Sequence, residues 1–428
     1  MNFRDYICPS TKLDFGAAER RREDVTVHAV EGSRCGSSRL AAAVQLGGRL
    51  RNIRAGSLVV DFADGRRAEF SGHLPGPHAH IRVNNQRAFR RFRLGGAVGG
   101  AEAYIDSDWD AVDLSAALEF FARNESEIGH GFGGGLPSRI ARRLYHLARA
   151  NTRRGSRRNI AAHYDLGNDF YEAWLDPSLT YSCAVFDPSH ALSLESAQAI
   201  KYRLLCDRLE VSPDHHLLEI GCGWGGFAEY VAKAVGCKVT GVTVSKEQHD
   251  HARRRIYKAG LSERVSIDFR DYRDVAGRYD RVASIEMFEA VGERYWPVFF
   301  GKLKDSLSAG GRAALQIITI DDGSFQRYRR GTDFIQRYIF PGGVLPSRAA
   351  LTREVADAGL AWLGDEGFGR HYAETLAIWR SRFSAARDRV EALGYSEQFR
   401  RMWDFYLAYC EAGFRTGRTD LLQVSIGR

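Results

Sequence analysis

The stretch Leu217–Val235, LLEIGCGWGGFAEYVAKAV, carries the reading of this chain. An apolar strand runs through Glu219 into Gly221, Gly223, Gly225 and Gly226, and a helix with Phe227, Tyr230, Val231 and Ala234 on its inner face follows at once. Glycine lets the backbone turn sharply and approach a ligand closely, while the free N–H groups at the helix start attract a carboxylate or phosphate. Further strand-like runs follow at 238–244, 264–269, 280–287 and 312–320, each with a polar or helical connection, and a last one at 421–426. The five alternating units predict a parallel sheet covered by helices on both faces, with the ligand crevice outside the carboxyl ends of its strands.

A G-x-G-x-G after a strand is shared by dinucleotide and adenosylmethionine sites. Two details favour the second. Glu219 lies two positions before the first glycine, where a carboxylate can hold an ammonium group. A dinucleotide fingerprint would also place an acid about 20 residues on for the ribose, whereas the second strand ends in Val242-Thr243-Val244. In TVSKEQ (243–248), Ser245 and Gln248 form an S-x-x-Q capping box. Their place at the crevice gives Thr243 and Gln248 a second role toward the ribose, and puts Asp271 and Tyr272 beside the adenine.

Outward from this centre, 428 residues make room for two to three domains, and 44% hydrophobic with 27% charged residues is globular composition. The net charge of +8 favours an anionic partner: nucleic acid, a phospholipid surface or an acidic metabolite. Seven scattered cysteines without a C-x-x-C predict a reduced, cytosolic chain and no metal site. His73, His78 and His80 lack a nearby carboxylate to complete one. The start lacks the layout of a signal peptide, and no run approaches the roughly 20 apolar residues that span a bilayer. A membrane, if it is the target, is met from the water side.

Three regions are expected: an N-terminal domain over 1–124, a basic connector over 125–158 and a catalytic domain over 159–428. In the first, Leu58–Phe70 reads as two strands around a two-residue Asp64-Gly65 turn. Asp113 caps a helix whose inner face is Leu114, Ala117, Leu118 and Phe121. The connector includes Ser138–Arg158, with eight arginines and no acid, patterned as a basic amphipathic helix suited to anionic headgroups. Arg87–Arg93, RAFRRFR, has no nucleic-acid module beside it, so packing or lipid contact is expected there and no nucleic-acid partner. In the insert 321–346, Phe325, Phe334, Tyr338 and Phe340 suit a lid over an acyl channel.

Seven stretches then occur together in order: AAHYDLGNDFYEAWLDPSLTYSCAVF (161–186), LLEIGCGWGGFAEYVA, VTGVTVSKEQ, DYRDV (271–275), EMFEAVG (286–292), RYIFPGGVLPS (337–347) and HYAETLAIWR (371–380). In these the chain resembles the cyclopropane-fatty-acyl-phospholipid synthase family and its relatives, the mycolic acid cyclopropane synthases and methyltransferases. The resemblance implies an α/β fold: a Rossmann-like class I SAM-dependent methyltransferase domain with a smaller N-terminal α+β domain that presents lipid. It implies S-adenosylmethionine on the Gly221, Gly223 and Gly225 loop, with Tyr181 and Ser182 at its methionine end.

It further implies transfer of the methyl group to the cis double bond of a phospholipid acyl chain. The resulting carbocation closes to a cyclopropane on losing a proton. In the family a bicarbonate ion takes that proton, held by a cysteine, a glutamate, a histidine and a tyrosine. Cys183, Glu289 and Tyr372 match three of these positions, and Gln316 stands where the histidine is expected. Glutamine donates from its amide but cannot become cationic. This departure leaves the bicarbonate open, and with it the product, since the same cation can yield a methyl- or methylene-branched chain. The scaffold also serves small-molecule N-methyltransferases. The implied partner is a phospholipid surface, met peripherally on the cytoplasmic side of the inner membrane, and a homodimer would double that contact.

Overall fold

The computed structural model describes residues 50, 52–128, 166–187 and 193–428. The basic stretch Ser138–Arg158 lies outside the described residues. β1 (Ala55–Phe62) and β2 (Arg67–Ser71) form the expected antiparallel hairpin, with Leu58 opposite Phe70. Its turn is one residue longer than Asp64-Gly65 suggests. The Phe62 N–H donates to the Arg66 carbonyl at 2.9 Å, which leaves residues 63–65 as the loop, with Gly65 at φ +84°. This is the three-residue form whose last residue takes the left-handed region. β3 (Leu74–Val83) crosses to the other side of β1 and pairs with it in parallel, and β4 (Trp109–Ala111) pairs antiparallel with β3. The crossing is tight enough that a Cβ on Gly72 would lie 2.4 Å from the Arg54 carbonyl carbon.

Two helices cover this small sheet, Arg87–Ile105, kinked at Gly96, and Leu114–Arg123. The Asp113 carboxylate caps the second, accepting from the Ser115 and Ala116 N–H groups. The buried stripe is rotated from the expected one: Phe120 is in the core, while Leu118 and Phe121 are half-buried and face a cavity. RAFRRFR opens the first helix. Its Arg87 and Arg91 pair with Asp108, and Phe92 packs on Trp109 and Phe121.

The large sheet contains β5 (His216–Ile220), β6 (Lys238–Thr243), β7 (Val265–Phe269), β8 (Tyr279–Ile285), β9 (Leu307–Ile320), β10 (Ala361–Gly367) and β11 (Thr419–Gly427). Their order is β10-β11-β9-β8-β5-β6-β7. The first five are parallel, as expected, while β11 inserts antiparallel between β9 and β10. β10 was not foreseeable from pattern: it is an edge strand reading AWLGDEG, with a register shift between Trp362 and Gly364. Strand order reverses at β5, whose carboxyl end leads into the glycine loop, the switch point where such sheets bind ligands.

Alternate residues of these strands feed cores on both faces, Leu218, Ile220 and Val282 on one and Leu217, Val239 and Ile267 on the other. A third core is aromatic. Phe170 contacts Tyr171, Trp174, Phe383, Tyr395, Phe399 and Trp403, joining the segment before β5 to the helices Gly369–Ala385 and Glu397–Arg415. That core continues into Leu58, Trp109 and Phe120 of the small sheet and its helices. Polar ties reinforce the join: the Tyr104 hydroxyl donates to Asp404 at 2.9 Å and Ser115 to Glu411 at 2.6 Å.

Because Phe170 is fully buried among six rings, Phe170→Ala should lower unfolding stability by about 3–5 kcal/mol in urea titration. A loss below ~1 kcal/mol would show that this cluster does not hold the two parts together.

Candidate active site

The glycine loop is built as its sequence demands. Gly221 and Gly225 have φ of +82° and +83°, and a Cβ on Gly221 would meet Met287 Cγ at 2.7 Å. Gly225 caps the helix Gly226–Ala234. Glu219, one residue before the end of β5, is buried and lines the cavity. Its Oε2 has no hydrogen-bond partner among the described residues. Burial pushes its carboxyl up to about 8, with Lys201 pulling the other way. A buried acid with one unpartnered oxygen, beside open glycine backbone, fits a cationic ligand with an ammonium group, as adenosylmethionine has.

Thr243 and Gln248 also line the cavity and bond to each other, the Thr243 hydroxyl donating to Gln248 Oε1 at 2.9 Å. Ser245 caps its helix through the Gln248 N–H, but the return half of the expected capping box is absent: the Ser245 N–H donates to Thr243 Oγ1 instead. Asp271 is clamped by the Arg273 guanidinium, and Tyr272 beside it packs edge-on against Phe299. Tyr181 shares a hydroxyl–hydroxyl bond of 2.6 Å with Tyr406, and both line the cavity. Ser182 Oγ accepts from the buried Lys201 Nζ at 2.6 Å. Burial pulls that ammonium down to about 8, offset in part by Glu286.

Cys183, Gln316 and Tyr372 do come together, and they meet on Glu286. Glu286 Oε1 accepts from the Cys183 backbone N–H at 2.9 Å and from Gln316 Nε2 at 2.8 Å, and Oε2 accepts from the Tyr372 hydroxyl at 2.5 Å. The Cys183 thiol is turned elsewhere, donating to the Ala184 carbonyl at 3.0 Å, and burial pushes its pKa up. Gln316 is fully buried behind Glu286. Glu289 lines the same cavity, with Oε1 accepting from the Ile318 N–H at 2.5 Å and Oε2 unpartnered among the described residues. The resemblance matched Glu289, and not Glu286, to the anion-holding set. Sequence reasoning missed Lys201 and Tyr406, whose only signal was an apolar helical face.

A cavity of about 590 Å³ joins most of these groups, though Cys183, Lys201 and Gln316 do not line it. It runs from Glu219 and Gly221 past Glu286, Glu289 and Tyr372 to Phe92, Val98, Trp109 and Phe121 of the N-terminal helices and their sheet. From the 321–346 insert, Phe340 lines it, whereas Phe325 packs on Trp296, Phe334 on Phe405, and Tyr338 bonds to Glu102. Only part of the expected aromatic lid therefore faces the channel.

The family model described as mycolic acid cyclopropane synthetase matches residues 151–424. The chain belongs to that family. It is 40% identical over 356 residues to tuberculostearic acid methyltransferase UfaA1 of Mycobacterium tuberculosis, covering 79% of this chain and 81% of that one. It is 37% identical over 356 residues to cyclopropane-fatty-acyl-phospholipid synthase of Escherichia coli, covering 82% and 88%. Among solved structures, mycolic acid cyclopropane synthase CmaA1 complexed with SAH and CTAB superposes with a TM-score of 0.60 at 30% identity, over 64% of this chain and 98% of that one. The protein is an S-adenosylmethionine-dependent, methyl-transferring enzyme of lipid modification with a class I methyltransferase fold.

Glu289 yields a pH prediction. Burial, and then Glu286, push its carboxyl from the ordinary 4.5 up to about 8. A raised folded value means that its contribution to stability is complete below pH 4.5 and is lost as pH rises toward 8. Urea midpoints taken at pH 5 and pH 8 should therefore fall less in Glu289→Gln than in the unchanged protein. Equal falls would show that Glu289 is ionised throughout.

Proposed function

We propose that this enzyme transfers the methyl carbon of S-adenosylmethionine to the cis double bond of a phospholipid acyl chain. The observation that carries the reading is the single cavity, which connects the glycine loop to an apolar bore between N-terminal and C-terminal helices, with two glutamates and a tyrosine at the junction. Its volume falls within the ~300–1,000 Å³ usual for small-molecule sites.

Bound against the loop, the cofactor supplies an electrophilic sulfonium methyl. Glu219 would hold the ammonium end, Tyr181 and Ser182 the methionine part, and Thr243, Gln248, Asp271 and Tyr272 the nucleoside, all of them lining the cavity. An alkene is a weak nucleophile, so alignment is the main contribution of the chain, a term that reaches ~7–11 kcal/mol in favourable cases. The apolar bore excludes water from the cation, and the Tyr372 ring, stacked on Phe414 at 4.4 Å between centroids, offers it a π face.

Two products are open to that cation. Proton loss from the transferred methyl closes a cyclopropane, whereas a hydride shift before proton loss leaves a methylene branch. Gln316 in place of the family's histidine, and the 40% identity to a tuberculostearic acid methyltransferase, favour the branched outcome. The arginine-rich connector supports a peripheral site of action on an anionic phospholipid surface.

Incubation with methyl-labelled adenosylmethionine and vesicles of monounsaturated phospholipid should yield labelled acyl chains about 14 Da heavier, the mass of a CH₂ unit. NMR of the product then separates ring from methylene. Label in a soluble amine, or none in lipid, would overturn the proposal.

A further inference from the structure

We infer that the Glu286 carboxylate is the base that removes the proton from the acyl cation, standing in the place the family gives to a bicarbonate ion. This rests on the reaction proposed above and deepens it.

The three groups matched to anion holding in this chain, Cys183, Gln316 and Tyr372, are already committed to a carboxylate of the chain itself. Both Glu286 oxygens are taken, at 2.9, 2.8 and 2.5 Å. A separate bicarbonate does not fit among these donors without displacing Glu286.

The protonation state follows from the partners. A backbone N–H only donates. The orientation of the Gln316 amide is set by a chain that starts at an arginine, which is a donor only. Arg208 Nε donates to Gln423 Oε1 at 3.1 Å, Gln423 Nε2 to Gln316 Oε1 at 2.9 Å, and Gln316 Nε2 to Glu286 at 2.8 Å. Burial pushes the Glu286 carboxyl above its ordinary value, and these donors on Oε1, with the tyrosine hydroxyl on Oε2, pull it back toward the ionised form. Glu289 has a single donor and an unpartnered oxygen, an environment that retains a proton.

The backbone also singles Glu286 out. It follows β8 directly with φ of +49°, a left-handed conformation that is strained for a non-glycine residue. The turn is held by its own N–H, which donates to the Gln316 carbonyl at 2.8 Å. It leaves the side chain on the cavity wall, beside Met287 and Tyr372. Strain of this kind, over-determined by surrounding bonds, is typical of functional positions.

The step balances without a redox partner. A C–H bond of the methyl-derived carbon breaks, and its electron pair becomes the new C–C bond of the ring or the second bond of the methylene. The proton passes to a Glu286 oxygen and reaches water after the product leaves.

The test uses the full chain with labelled adenosylmethionine and unsaturated phospholipid vesicles, and measures adenosylmethionine affinity by calorimetry alongside. Glu286→Gln and Glu286→Ala should each lose roughly 10²–10⁴-fold in turnover, the usual range for a general base, with affinity changed less than about threefold. Added formate should restore turnover in Glu286→Ala, which has space for it, and not in Glu286→Gln. Turnover of Glu286→Gln within tenfold of the unchanged enzyme would overturn the inference. So would a parallel loss of cofactor affinity, or loss of turnover with no rescue, since each assigns Glu286 a structural role. Failure of the unchanged enzyme to label lipid would instead overturn the proposed reaction, and the inference with it.

Discussion

A carboxylate kept from bulk water is costly unless donors surround it. Glu286 meets that demand with groups from three distant parts of the chain: the Cys183 N–H in the extended segment before β5, the Gln316 amide in β9 and the Tyr372 hydroxyl in the helix Gly369–Ala385. The parallel pairing of β8 with β9 sets Ile285 beside Gln316, so the residue after the strand lands against the amide. The antiparallel β11 places Gln423 opposite Gln316 and completes the ladder back to Arg208. The unusual edge of the sheet and the orientation of the central carboxylate are thus one arrangement.

Around this centre the charges are unequal by design of their surroundings. Lys201 is buried between the acids it influences, with burial pulling its pKa down to about 8. Burial pushes all three acids up, Glu219 and Glu289 to about 8, and Glu286 alone collects three donors that pull the other way. Carboxyl groups in one cavity whose environments differ in this way take different roles. Glu219 lies beside the glycine loop and Glu286 lines the same cavity; under the proposed reaction the first would meet the ligand's positive end and the second the charge that develops on the substrate.

Much of this was legible in the chain. The glycine loop, the five parallel strands and the Asp113 cap follow from local periodicity and spacing, which report on neighbours in sequence, and the seven ordered stretches carried the family resemblance. What remained hidden depends on long-range pairing. β10 has glycines and acids instead of a strand pattern, and forms because β11 offers it an edge. Phe120 takes the core position expected for Phe121, because the packing of the small sheet rotates the helix. That Cys183, Gln316 and Tyr372 meet on Glu286, when the resemblance had matched them with Glu289 to a bound anion, had the same cause. Both lie in EMFEAVG, and only the left-handed turn at Glu286 and the register of β9 decide which one the donors reach. The missing histidine at 316 was visible in sequence, but its compensation was not.

On the proposed reading, Glu286 supplies the base where the family resemblance implies a borrowed bicarbonate ion. The most direct test is turnover in rigorously CO₂-free buffer compared with the same buffer supplemented with bicarbonate. An internal Glu286 base predicts equal rates in the two conditions. A strong rise in rate on adding bicarbonate would contradict the account.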